Sequence, residues 1–130
     1  DMSIEMVLFA LNESSGGEIF VPKIPSYRLK DLVKAISPNC KVNIIGIRPG
    51  EKINEIMCPA DSSGDTIEFT DYYCIKPSIK FSHVSFNYKI SKNGEVGKYV
   101  EKDFEYNSGK NSHFIKIKGI KDFLKNDSIQ

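Results

Sequence analysis

The fold is decided by the stretch "EIFVPKIPSYRLKDLVKAISPNCKVNIIGIRPGEK", residues 18–52. Its first residues, "EIFVP", predict a short strand that ends at Pro22, because proline cannot donate to a strand ladder. A helix follows and ends before Pro38; its apolar residues recur at helical spacing, at Leu29, Leu32, Val33 and Ile36. "KVNIIGI", residues 41–47, predicts a second strand. Strand, helix and strand in about 30 residues make a βαβ unit with parallel strands.

Helical and strand-like segments flank this unit. Ser3 is a candidate N-cap for a helix that ends near Gly16 and Gly17. That helix carries one apolar stripe, at Ile4, Val7, Leu8 and Leu11. After Gly50, "EKINEIM" predicts a short helix, and "TIEFTDYYCI", residues 66–75, is rich in the β-branched and aromatic residues of strands.

The pattern changes after residue 77. "IKFSHVSFNYKI" alternates apolar and polar residues, Asn93 and Gly94 predict a hairpin turn, and "IKGIKDFLKN" predicts a closing amphipathic helix. The fold class expected is α/β (α+β): a small βαβ core with flanking helices, then an antiparallel β arm. Residues 1–77 are interpreted as the core and residues 78–130 as the arm and closing helix.

Charge and composition exclude several classes of function. The 130 residues carry a net charge of +1, and the lysines after residue 77 are scattered, as on a solvated surface. We therefore expect no nucleic-acid partner. The longest apolar run, residues 6–11, is too short to span a membrane. Three cysteines without a Cys-x-x-Cys pair, and two histidines far apart, favour a reduced, cytoplasmic protein without a metal site.

One of the two arginines stands at the end of the second predicted strand, where open α/β sheets bind their ligands. Pro49 and Gly50 turn the chain sharply there and allow close approach of a ligand. The planar fork of Arg48 suits a phosphate, and the Glu51 carboxylate can accept hydrogen bonds from a ribose diol. The spacing equally fits an Arg48–Glu51 ion pair that braces the turn, and both interpretations stay open on the residues alone.

The blocks "VPKIPSYR" and "IGIRPGEK" resemble the C-terminal half of the nucleotide-sugar 4,6-dehydratases, in the extended short-chain dehydrogenase/reductase family. The resemblance is strongest to inverting UDP-N-acetylglucosamine 4,6-dehydratases and continues through "IEFTDYYCIKPSIKF" and "DFEYNSGKNSHFIKIKGIKDFL". It implies the substrate lobe of a Rossmann-type enzyme, with Arg48 on the diphosphate and Glu51 on the ribose. The reaction implied turns UDP-N-acetylglucosamine into a 4-keto-6-deoxy sugar with inversion at C5, in bacterial polysaccharide or glycan biosynthesis.

The chain departs from that family in its cofactor and catalytic motifs. No Gly-x-x-Gly-x-x-Gly turn for NADP is present, and the spacing Tyr-x-x-x-Lys occurs only on strand-like or loop sequence. We therefore expect no catalytic residue and no cofactor bound by this chain, although NADP is implied for the complete enzyme. The resemblance implies a Rossmann half, in the same or a separate chain, and a homo-oligomer as partners. Tyr27 and Arg28, after the first strand, are further candidates for contact with the UDP-sugar.

Two other classes of function compete with this interpretation. A non-catalytic oligomerisation or assembly module fits a lobe that exposes apolar surface and extends a β arm towards a neighbour. A basic, aromatic nucleic-acid binder over residues 81–125 is disfavoured by the scattered lysines and the near-neutral charge.

Overall fold

A computed structural model describes residues 2–79 and 85–127 of the chain. Its helices and strands are, in order, α1 (Met2–Glu13), β1 (Ile19–Pro22), α2 (Leu29–Ile36), β2 (Ile56–Cys58), β3 (Thr66–Glu68), β4 (Tyr72–Ile75), β5 (Lys98–Tyr99), β6 (Tyr106–Asn107) and α3 (Ile117–Asp127). A 3-10 helix, Ala60–Asp65, leads into β3. Within these residues no helix is both long and apolar enough to cross a membrane.

The chain divides into two compact units, each assembled from two separate segments. Unit 1 contains residues 1–23 and 56–107, and unit 2 contains residues 24–55 and 108–130. These compact units do not coincide with a division after residue 77, because strands on both sides of that position pair with each other. β5 pairs with β3, and β6 pairs with β2.

Unit 1 is built on a four-stranded antiparallel sheet in the order β1-β4-β3-β5. Successive side chains of a strand point to opposite faces, so the Tyr73 side chain in β4 lies on the face opposite to Tyr72 and Cys74. The core accordingly forms two clusters, Val21, Cys58, Tyr73 and Tyr106 in one and Ile67, Phe69, Tyr72 and Cys74 in the other. The hairpin of β3 and β4 contributes to both, with Ile67 fully buried.

Helix α1 covers the second cluster with a face that the sequence did not predict. Met6 and Phe9 pack on the cluster, and the Phe9 ring lies edge-on to Tyr72 at a centroid distance of 4.9 Å. The predicted stripe, Ile4, Val7, Leu8 and Leu11, is instead 59–72% exposed. Helix α1 therefore buries the side that carries Phe9, which contacts Tyr72, and leaves the apolar stripe exposed.

Unit 2 holds α2 packed against α3. Its two segments are joined at Ser26, which is buried and forms a parallel bridge with Phe114. The Ser26 N–H donates to the carbonyl of His113 at 2.9 Å, and the Ile115 N–H donates to the carbonyl of Ser26 at 2.9 Å. These two bonds fix the chain before α2 to the chain before α3.

The mixed α/β class is confirmed, but the predicted βαβ core is wrong. Residues 41–47 form no strand, and β1 pairs with β4 in antiparallel orientation. A strand needs a neighbour for its backbone hydrogen bonds, and β1 lies in unit 1 whereas residues 41–47 lie in unit 2. The run lies on the surface, with Ile44 79% and Ile45 74% exposed. The short helix predicted after Gly50 is also absent; β2 begins at Ile56.

The region after residue 77 agrees with the sequence in its turn and its closing helix. Gly94 has a φ of 88°, its N–H donates to the Ser91 carbonyl at 2.9 Å, and Ile90 bridges Val96, as in a hairpin. Helix α3 is the predicted closing helix. The predicted strand over residues 79–90 lies partly outside the described residues. The short strands β5 and β6 pair back within unit 1 instead of forming a separate arm.

Candidate functional site

The turn between Arg48 and Glu51 has the geometry that its sequence predicts. The Glu51 N–H donates to the Arg48 carbonyl at 3.0 Å, and Gly50 has a φ of 85°. A backbone bond across four residues, with positive φ at the third, is the signature of a type II turn, which favours glycine there. Pro49 presets the preceding position.

Side chains also brace this turn. The backbone N–H of Arg48 donates to Oε2 of Glu51 at 2.9 Å, and the side-chain Nε of Arg48 lies 3.7 Å from Oε1 of Glu51. The two side chains are 70% and 50% exposed, so water screens the pair. The Nη nitrogens of Arg48 make no hydrogen bond within the described part of the chain. The bracing interpretation is therefore realised, while the outer edge of the guanidinium stays available to a ligand.

The segment that leads to this turn is apolar and exposed. Val42, Ile44, Ile45 and Ile47 are 53–79% exposed. Gly46 has a φ of 84°, a backbone conformation that interrupts a regular strand. Arg48 thus follows directly after an exposed apolar segment of unit 2.

Arg28 lies in a different setting from Arg48. It is the residue before α2, and its guanidinium carbon is 6.0 Å from the centroid of the Phe114 ring. Together with Asp31 and residues 114–118 it lines a groove of about 510 Å³, which we name the α2–α3 groove. Tyr27 is 51% exposed beside it and does not line the groove. Among the described residues no hydrogen bond or ion pair joins Tyr27 or Arg28 to the Arg48 turn.

Sequence reasoning missed Phe114, Lys116 and Lys118, which face Arg28 across this groove. The sequence signal for these residues is the alternation of apolar and cationic residues in "FIKIK", residues 114–118. Its two lysines were interpreted as part of a scattered, solvated surface. The bridge to Ser26, 88 positions away in the sequence, and the packing of α2 against α3 bring them to Arg28.

Burial raises the pKa values of Tyr72 and of two cysteines of unit 1. Burial and the neighbouring Glu13 carboxylate raise the pKa of Tyr72, opposite to the shift that a tyrosine base needs. Burial raises the pKa of Cys58 to about 11 and that of Cys74 to about 12, so both thiols stay neutral and unreactive near pH 7. In the ranges that the structure describes, no group of three or more His, Cys, Asp or Glu side chains could hold a metal ion.

Comparison with known proteins places the chain in context. A family model described as "Polysaccharide biosynthesis protein" matches residues 1–77. Two Campylobacter jejuni proteins described as "UDP-N-acetylglucosamine 4,6-dehydratase (inverting)" are similar to the chain. The protein of serotype O:2 is 46% identical over 108 residues, which cover 83% of this chain and 32% of the relative. The protein of serotype O:23/36 is 41% identical over 121 residues, covering 93% and 36%.

The fold is also similar to a solved structure. The X-ray structure of Pen from Bacillus thuringiensis matches with a TM-score of 0.73 and 25% sequence identity, and covers 99% of this chain and 37% of that one. The chain spans about a third of the length of these proteins.

Proposed function

Because the chain belongs to the polysaccharide biosynthesis protein family, we propose that it forms the substrate-binding lobe of a nucleotide-sugar 4,6-dehydratase. The observation that carries the proposal is 41–46% identity to two inverting UDP-N-acetylglucosamine 4,6-dehydratases over most of the chain. The matched chain includes a braced Arg48 turn with an exposed guanidinium. The substrate class proposed is a UDP-sugar, and the setting is polysaccharide or glycan biosynthesis.

Arg48 would bind the diphosphate of that ligand. Its planar fork can hold two phosphate oxygens at once, and its side chain is 70% exposed. Glu51 would accept ribose hydroxyl hydrogen bonds with the oxygen that now faces Nε of Arg48. Tyr27 and Arg28, immediately before α2, remain proposed as outer contacts of the same ligand.

NADP, which the family resemblance implies, does not fit the residues described. A dinucleotide turn follows a strand and opens a helix. Gly16 and Gly17 have the reverse order, after α1 and before β1. The reaction proposed for the complete enzyme yields a 4-keto-6-deoxy sugar with inversion at C5, and its hydride and proton transfers are assigned to residues outside this sequence. The proposal includes a Rossmann half, a homo-oligomer and a cytoplasmic location, where the three free cysteines stay reduced.

A direct titration tests the role of Arg48. We expect UDP to bind the wild-type chain weakly in calorimetry or NMR, and Arg48→Ala to weaken binding roughly tenfold to a hundredfold, because a charge-assisted hydrogen bond contributes about 1.5–3 kcal/mol. Lys52→Ala is the matched control, since Lys52 is an exposed cation four residues on and lies outside the turn. Equal affinities of the wild type and Arg48→Ala would refute the assignment.

A turnover assay tests whether this chain alone catalyses the proposed reaction. The purified chain with NADP and UDP-N-acetylglucosamine should give no 4-keto-6-deoxy product, because no Tyr-x-x-x-Lys pair lies on a helix of the described chain. Product formed above the level of a protein-free control would overturn this prediction.

An assembly module is the second candidate, and the exposed stripe of α1 favours it. Ile4, Val7, Leu8 and Leu11 form an apolar surface of the kind that marks protein interfaces. Light scattering should show concentration-dependent association that Leu8→Glu abolishes. A clean monomer at millimolar concentration would eliminate this candidate.

A further inference from the structure

The α2–α3 groove combines an apolar floor with an excess of positive charge. Arg28, Lys116 and Lys118 line it, against the single carboxylate of Asp31. None of these four residues takes part in an ion pair within the part of the chain that the structure describes. The groove therefore keeps an uncompensated charge of about +2, which favours an anion.

The groove also offers a surface for a planar ring. Phe114 is 38% exposed, and the Arg28 guanidinium lies over its ring at 6.0 Å. A cation held against an aromatic face is restricted in orientation, so less conformational entropy is lost when it binds a ligand. The volume of about 510 Å³ lies in the range of small-molecule sites.

The two walls are fixed to each other before any ligand binds. The paired hydrogen bonds of Ser26 hold residues 113 and 115 beside the chain that enters α2. The Asn111 side chain adds hydrogen bonds to the Ile24 carbonyl at 2.8 Å and to Oγ of Ser26 at 3.0 Å. Arg28 and Phe114 thus face one another across a preorganised groove.

We propose that the α2–α3 groove is a binding site for a small aromatic phosphomonoester of about the size of a nucleoside monophosphate. The ring lies on Phe114, and the phosphate is held by Arg28 with Lys116 and Lys118. The dianionic phosphate matches the positive excess of the groove, and the arginine fork matches its oxygens. The residues that line this groove do not include those of the Arg48 turn. The inference goes beyond the proposed function, because it gives Arg28 a phosphomonoester as ligand in place of an outer contact with the UDP-sugar.

Phenyl phosphate is the minimal probe, because it carries one ring and one phosphate. It is titrated into the complete 130-residue chain and followed by amide NMR shifts, beside inorganic phosphate and phenol. We expect saturable shifts confined to residues 26–31 and 113–118, and an affinity at least tenfold above that of either separate half. Equal binding of inorganic phosphate and phenyl phosphate, or shifts spread over the surface lysines, would overturn the proposal.

Variants locate the contacts. Arg28→Ala should weaken phenyl phosphate at least tenfold, and Phe114→Leu, which keeps apolar volume but removes the ring, should erase the preference over inorganic phosphate. Lys118→Ala should weaken binding less, and because Lys118 is exposed this variant should keep the stability of the wild type. Lys52→Ala removes an exposed cation outside both the groove and the Arg48 turn; it is the matched control and should leave phenyl phosphate binding unchanged. Loss in Arg48→Ala together with full binding in Arg28→Ala would refute the groove, whereas failure of UDP to bind would refute only the Arg48 assignment.

Discussion

The β3–β4 hairpin and the run of residues 41–47 share a strand-like composition but lie in different environments. Both are rich in β-branched residues, and both were predicted to be strands. In the hairpin, Ile67 pairs with Cys74 and is fully buried, whereas in the run Ile44 is 79% exposed and residues 41–47 form no strand. The difference lies in the neighbour, because a strand is stabilised by the chain beside it and the face that covers it.

The largest expected difference between the two regions is in core stability. Ile67→Ala should lower the free energy of unfolding by about 2–5 kcal/mol, because it removes buried methyl groups and leaves a cavity. Ile44→Ala, the same change on the exposed run, should stay within about 0.5 kcal/mol of the wild type. Urea denaturation followed by far-ultraviolet circular dichroism measures both. Equal losses would mean that the run is buried in solution and that the comparison fails.

The second difference concerns space beside the hairpin. A methyl group on Gly97 would lie 2.6 Å from Cγ2 of Ile67 and 2.8 Å from the Phe69 ring, closer than packed atoms approach. Gly97→Ala should therefore destabilise the chain by about 1–3 kcal/mol through overpacking. Gly64→Ala is the matched control, since no atom lies within 4 Å of its added methyl group. A Gly97→Ala variant as stable as the control would show that the hairpin core is looser than described.

Local signals explain what the sequence predicted well. The type II turn at Pro49 and Gly50, the hairpin turn at Asn93 and Gly94, and helix α3 all depend on residues within a few positions of one another. Such features are decided by backbone preference and short-range hydrogen bonds, which a sequence displays directly.

Features that depend on distant residues were missed. The face that α1 buries is decided by where Phe9 meets Tyr72, 63 positions on. The failed strand at residues 41–47 had an apolar pattern typical of a buried strand, but periodicity carries no information on whether a partner is present. In the candidate site, the contact of Arg48 with Glu51 was predictable from spacing. The α2–α3 groove was not, because Ser26 and Phe114 meet only in the folded chain.

The smallest expected difference separates two cysteines, Cys74 in the hairpin and Cys40 next to the exposed run. Burial, with the Glu18 carboxylate, raises the pKa of Cys74 in the folded chain from 9.0 to about 12, whereas Cys40 is exposed. Between those two pKa values the unfolded chain has a thiolate and the folded chain a thiol. The stability contributed by the neutral thiol is therefore complete below pH 9 and lost as pH rises towards 12, by about 1.4 kcal/mol at pH 10. Denaturation at pH 8 and pH 10 should show a smaller alkaline loss for Cys74→Val than for the wild type, while Cys40→Val follows the wild type. The same alkaline loss in all three proteins would mean that the pKa of Cys74 is the same in the folded and the unfolded chain, and that the hairpin core is as open to water as the run.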